Sequence, residues 1–220
     1  MKYDKLYFGG RTSFFYCLTG YQEFHGYFNR LASWFRPYVE PTRPILDVGC
    51  AYGYLLSRFG NGANTELHGC DVSSFAIERA RALHPTMHFQ IAELGKDKLP
   101  YDDGRFGVVL ATDVFEHVEI GNQALALAEI RRVLRERGYL CVTTPNWNLV
   151  RKALYKQADK IEDHIGMRPM KGWHNVLAIS GFELITCWTY LHGYLPVIGR
   201  THTWFPECAI VVRKRGTKHR

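Results

Sequence analysis

The chain has 220 residues, 46% of them hydrophobic, enough for one domain with a core of its own, and no apolar run approaches the length that spans a bilayer. Its net charge of +7 looks like a nucleic-acid signal, but residues 213–220 carry five Lys/Arg and no acid, which leaves 23 basic against 21 acidic residues elsewhere. A short basic tail after the last strand reads as a solvated terminus rather than a binding arm, so nucleic acid and membrane are both set aside as partners. The amino end is polar and aromatic, unlike a signal peptide. Six cysteines (17, 50, 70, 141, 187 and 208) form no C-x-x-C pair and read as reduced thiols of a cytoplasmic protein, with no metal site assigned.

Residues 1–38 hold 13 of the chain's 31 aromatics. Tyr21, Phe24, Phe28, Leu31 and Phe35 fall at i, i+3, i+4 and i+7 spacing, which predicts a helix packing one stripe onto a sheet. The segment before it, Tyr3 to Tyr16, has no period and contains Gly9-Gly10.

Residues 45–53, Ile-Leu-Asp-Val-Gly-Cys-Ala-Tyr-Gly, read as an apolar strand ending in Asp47, then a turn of small residues, then a helix over roughly 53–60. Glycine allows close backbone approach and positive φ, and a strand–turn–helix of this kind is where open α/β sheets place cofactors. Residues 65–72 read as a second strand ending in Asp71, 18 positions after Gly53. That spacing suits an acid that binds a ribose diol; the alternative is an N-cap for the helix starting near Ser73-Ser74. A dinucleotide turn would need glycine at 49, 51 and 54, where this chain has Gly49, Ala51 and Tyr54, so a nicotinamide-dependent oxidoreductase fits poorly.

Asp-x-Gly-x-Ala-x-Gly resembles the first motif of class I S-adenosylmethionine-dependent methyltransferases, with Ala51 in place of the central glycine. The resemblance covers most of the chain. Residues 87–91 look like the third strand of that family. Leu99 to Phe106 resembles the loop into a fourth strand (106–112), which ends in Thr112-Asp113-Val114-Phe115-Glu116-His117, similar to the family's Glu-His signature. Residues 137–146 look like the fifth strand and its exit, and 163–186 like the helix and strand that close the sheet.

The resemblance implies a Rossmann-like α/β fold: seven strands, mostly parallel with one antiparallel, helices on both faces, in one domain spanning 1–220. The last two strands, near 182–190 and 206–213, lack a crossover helix and should pair antiparallel. Arg131, Arg132, Arg135 and Arg137 are expected at the carboxyl end of the helix before the fifth strand.

For the site, the resemblance implies S-adenosyl-L-methionine as cofactor and S-adenosyl-L-homocysteine as product. The binding residues would be Asp47, Gly49, Cys50, Ala51 and Gly53 in the first turn and Asp71 with Val72 after the second strand. Glu93 and Leu94 would meet the adenine, and Ala111, Thr112 and Asp113 would end the fourth strand. Residues 1–38 would include a lid, with Tyr3 or Tyr7 over the cofactor, and 146–172 would be an acceptor-side insertion in which Trp147 and Met167 either shape the pocket or pack as a satellite core. His117 is the first candidate for a general base, the alternative being a turn-holding role; His25, His164, His174 and His202 follow it. No adenine-methylating Asn/Asp-Pro-Pro-aromatic and no Pro-Cys nucleophile occurs, which leaves a small-molecule acceptor, methylated on oxygen before nitrogen or carbon. A non-catalytic cofactor-binding scaffold would carry the same binding residues.

Overall fold

The computed structural model describes residues 3–60, 65–191 and 205–216. Seven strands form one sheet in the order β3-β2-β1-β4-β5-β7-β6: β1 Ile45–Val48, β2 Leu67–Asp71, β3 His88–Ile91, β4 Phe106–Thr112, β5 Leu134–Pro145, β6 Phe182–Tyr190 and β7 Glu207–Lys214. β3, β2, β1, β4 and β5 run parallel, whereas β7 is antiparallel to both β5 and β6. β1 is buried at every position and β4 at all but its last, because helices cover both faces of a parallel sheet. Alternation along the strands divides the core. Leu46, Val48, Val109 and Ala111 face α4 (Gln123–Val133) and α7 (Met170–Ile179), which contribute Leu127, Ile130 and Trp173. Ile45, Val108 and Leu110 face α2 (His25–Phe35) and α3 (Ser74–Leu83), which contribute Phe28, Leu31, Phe35 and Ile77.

The strand order reverses between β1 and β4, so the crevice that such sheets offer to ligands opens at their carboxyl ends. The three loops after β1, β2 and β4 meet there. Short helices α1 (Lys5–Phe8), α5 (Leu149–Leu154) and α6 (Lys156–Ile161) lie in the segments expected as the N-terminal lid and the acceptor-side insertion.

Four expectations are corrected. Residues 53–60 form no α-helix: a 3₁₀ turn spans Leu56–Phe59, and its two buried ends, Leu56 and Phe59, sit three apart, the spacing that eclipses in a 3₁₀ helix. α4 stops at Val133 because Leu134 already pairs with Phe106, which places Arg135 and Arg137 in β5 instead of a helix end. Tyr21 and Phe24 precede α2 and pack on its cluster from outside the helix. The basic terminus is half structure: Arg213 and Lys214 lie in β7, where Lys214 donates to the Leu134 carbonyl oxygen at 2.7 Å. Residues 217–220 and His202 lie outside the described residues.

Candidate functional site

The turn after β1 is held by its own neighbours. Gly49 and Cys50 N–H both donate to the Cys70 carbonyl of β2, at 2.7 and 3.1 Å, and Gly53 N–H donates to Cys50 O at 2.8 Å. Gly49 has φ 71°, and a Cβ there would lie 2.2 Å from Val114 Cγ2, so no other residue fits. Ala51 also lies in the left-handed region, at φ 46°, a conformation that costs an L-residue about 1–2 kcal/mol. What holds it there is Asp71: the Ala51 N–H donates to Asp71 Oδ2 at 2.9 Å. The turn therefore uses its N–H groups internally and presents none of these four to an anion.

Asp71 Oδ1 accepts from Ser73 N–H at 2.9 Å, and the N-cap of α3 is Ser73, whose hydroxyl accepts from Ala76 N–H. The N-cap alternative for Asp71 is thereby replaced by a turn-bracing role that leaves its carboxylate on the cavity wall. Burial raises its pKa, opposed by the N–H groups of Ser73, Ala51 and Val72. Asp47 is 1% exposed, and its Oδ1 has no hydrogen-bond partner among the described residues. Burial, then the like charge of Asp71, pushes its carboxyl well above the usual range. Two buried carboxyls side by side favour a ligand that brings positive charge and disfavour a pyrophosphate.

These residues line a cavity of about 810 Å³, large enough for a nucleoside-sized ligand and a small acceptor together. Val48, Gly49, Cys50, Ala51 and Val72 reach it, as do Glu93 and Leu94 at the end of β3 and Thr112 and Asp113 at the end of β4. Glu93 pairs with Lys96 at 2.8 Å on this rim. Asp113 is anchored by two hydroxyls, Tyr27 at 2.6 Å and Thr143 at 3.0 Å. Ala111 and Gly53 do not line the cavity. Ala111 is fully buried in the sheet, and Gly53 (φ 79°) faces Phe89 and His84, so their contribution is to packing and chain direction.

Side chains of both the N-terminal segment and the 146–172 segment line this space. Tyr3 and Tyr7 line it, and Tyr7 stacks edge-on against Tyr3, Phe8 and Tyr16. The two segments meet at one side chain that sequence reasoning passed over. Glu162, 1% exposed, accepts from Tyr7 Oη (3.0 Å), Ser13 Oγ (2.7 Å), Phe14 N–H (2.6 Å) and Phe15 N–H (3.2 Å). Trp147 and Met167 are not on the cavity wall; Arg151, Glu162, His164 and Ile165 represent that segment instead. Glu162→Ala leaves four donors without their carboxylate. A ligand held beneath the lids should then leave about 10- to 100-fold faster, since hydrogen bonds to a charged group are worth about 1.5–3 kcal/mol each. Stopped-flow dissociation measures this, and an unchanged off-rate would show that the latch does not gate the cavity.

At the other end, a 3₁₀ turn after β4, Phe115–His117, delivers Glu116 and His117 to the cavity. Glu116 is 2% exposed and its Oε2 accepts from Thr144 Oγ1 at 3.1 Å; burial, then Asp113, raises its pKa well above normal. His117 meets Tyr3 and His164 edge-on, at 5.5 and 4.9 Å between ring centres. Behind His164, Arg151 is buried between Asp159 and Glu207. His25 lines the opposite rim beside Glu23, and His174 does not reach the cavity.

Residues 46–142 match a family model described as a methyltransferase domain. A probable S-adenosylmethionine-dependent methyltransferase of Mycobacterium tuberculosis is 33% identical over 105 residues, 48% of this chain and 36% of that protein. Methyltransferase-like protein 27 of Homo sapiens is 27% identical over 156 residues, 69% of this chain and 62% of its own length. The chain spans about half or less of the length of the first curated relatives it matches. Among solved structures, a SAM-dependent methyltransferase from Archaeoglobus fulgidus superposes with a TM-score of 0.70 at 15% identity, over 86% of this chain and 94% of that one. The [4+2]-cyclase SpnF superposes at 0.66 with 16% identity, over 87% and 80%. At such identities the shared property is the fold.

Proposed function

We propose that residues 46–142, which match a methyltransferase domain model, form a class I S-adenosylmethionine-dependent methyltransferase domain, and that the chain transfers a methyl group from S-adenosylmethionine to a small-molecule acceptor, on oxygen. The observation that carries this reading is the wall after β1 and β2: N–H groups satisfied internally, and two buried carboxylates, Asp47 and Asp71, one with an unpartnered oxygen. A dinucleotide would bring a pyrophosphate to that wall. S-adenosylmethionine brings an ammonium, a sulfonium and a ribose diol, and when bound it supplies an electrophilic methyl group. Asp47 would hold the ammonium end and Asp71 the diol. Glu93 and Leu94 would meet the adenine at the end of β3.

The chain's own part in catalysis is chiefly positional. Methyl transfer is an in-line displacement, so holding the acceptor against the methyl carbon accounts for much of the rate. The lids joined at Glu162 exclude water that would compete as acceptor. The rings of Tyr3 and Tyr7 offer aromatic faces to a cation, each worth about 0.5–2 kcal/mol. A hydroxyl acceptor must lose its proton, and this reading assigns its activation to His117, which lines the cavity after β4.

Calorimetric titration with S-adenosylhomocysteine and, separately, NADH tests the reading. Micromolar binding of the first alone is the expected result; binding of NADH alone would overturn it. Asp71→Ala should weaken S-adenosylhomocysteine binding by about 1–3 kcal/mol, roughly 5- to 150-fold, while a folded variant of unchanged affinity would refute the ribose role. Turnover of an acceptor separates the enzyme from a cofactor-binding scaffold.

A further inference from the structure

Three side chains at the acceptor end offer metal-ligating atoms that all lie within 4.8 Å of one another: Glu116, His117 and His164. They come from segments 48 residues apart along the sequence, counting from Glu116 to His164, and the fold brings them together by backbone stitching. Gly166 N–H donates to the Glu116 carbonyl at 2.7 Å. The Gln123 amide of α4 donates to the carbonyls of Phe115, Val118 and Gly166 at 3.2, 3.3 and 2.7 Å. Position 166 must be glycine for this approach, since a Cβ there would lie 2.1 Å from Val118 O and 2.4 Å from Phe115 O.

We propose that Glu116, His117 and His164 bind a divalent transition cation that also takes up an oxygen of the methyl acceptor. A donor set of two imidazoles and one carboxylate suits Mn²⁺, Fe²⁺ or Zn²⁺ better than Ca²⁺ or Mg²⁺. The surrounding shell is arranged as metal-bound histidines require. His164 Nδ1 lies 2.8 Å from Asp159 Oδ1, which fixes the ring and leaves Nε2 for a ligand. Asp159 is in turn held by Arg151 through Nε at 3.1 and 3.2 Å. Glu116 is steadied by Thr144 Oγ1.

The inference rests on the acceptor-side reading above and sharpens it. The lone pair of His117 goes to the cation, and the cation, not the imidazole, lowers the pKa of the acceptor hydroxyl. The O–H bond then breaks with its proton passing to solvent. The C–S bond breaks with its electron pair staying on sulfur as the C–O bond forms. An acceptor carrying a second oxygen beside the hydroxyl would chelate the cation and bind best.

The test uses the full chain, stripped with EDTA and titrated calorimetrically with MnCl₂ and with ZnCl₂. One cation per chain is expected, weakened at least 10- to 100-fold in His164→Ala and in Glu116→Gln. Glu116→Gln keeps an oxygen for Thr144, and melting curves identify any variant that has unfolded. Absence of stoichiometric binding, or equal affinity in folded variants, overturns the proposal. S-adenosylhomocysteine affinity measured on the same preparations reports separately on the cofactor reading: its loss with cation binding intact would remove the methyl-transfer step and leave the metal site.

Discussion

Arg151→Ala should destabilise the protein by about 3–5 kcal/mol, the cost of leaving buried carboxylates without their cation. Arg151 is 1% exposed, and its donors are spread over three acceptors: Asp159 (2.5–3.2 Å), Glu207, and the Pro206 carbonyl at 3.3 Å. Its guanidinium also covers the Tyr155 ring at 5.1 Å. Asp159 and Glu207 are each 4% exposed, so removing the cation leaves Asp159 as an unpaired buried charge and Glu207 without its donor. Burial already pushes the Glu207 carboxyl up to about 8 with Arg151 beside it. For a chain of this size the melting temperature should fall by roughly 6–20 °C. A fall within the error of the measurement would mean that water reaches the triad and that the wall it forms is not a dry one. The consequence reaches the site, because this triad ties α5 and α6 to the start of β7 and holds the ring of His164 through Asp159.

The sequence was legible where structure and chemistry are local. The strand–turn at 45–53, the acid closing β2 and the Glu-His pair after β4 each lie within one short stretch. Asp47, Gly49, Asp71 and Asp113 accordingly lie on the cavity wall. The antiparallel pairing of β6 with β7 also followed, from the lack of a crossover helix between them. What stayed hidden depends on contacts between distant segments. Glu162 reads as one more acid in a charged stretch until Tyr7, Ser13, Phe14 and Phe15 converge on it from about 150 positions away. His164 could not be set above His25 or His174 from spacing, since its neighbour His117 is supplied by a glycine-dependent backbone approach at 166. The Ala51 substitution reads as one added methyl group; in the fold it places an L-residue at positive φ and gives Asp71 a bracing duty beyond ligand binding. The helix expected at 53–60 failed because three buried residues, Leu55, Leu56 and Phe59, dictate a tighter turn than periodicity over so short a stretch can reveal.

His117→Ala should lower kcat by about 10²- to 10⁴-fold, the range over which activating an acceptor hydroxyl contributes to rate, while S-adenosylhomocysteine affinity stays unchanged. The separation follows from position. Asp47, Asp71 and the first turn bound the cavity at the ends of β1 and β2, whereas His117 belongs to the turn after β4 and packs against His164 and Tyr3. A residue that only held this turn would show its loss as a lower melting temperature with turnover restored by cooling. An activating residue would show a kcat defect that persists in the fully folded variant. The pH profile then distinguishes how the imidazole acts. A histidine that takes the proton itself gives kcat an acid limb that Mn²⁺ does not move. A histidine acting through a cation gives turnover that EDTA removes and Mn²⁺ restores in the wild type, with no restoration in His117→Ala. Loss of S-adenosylhomocysteine binding in that variant would instead move His117 to the cofactor side and leave the acceptor end without its activating group.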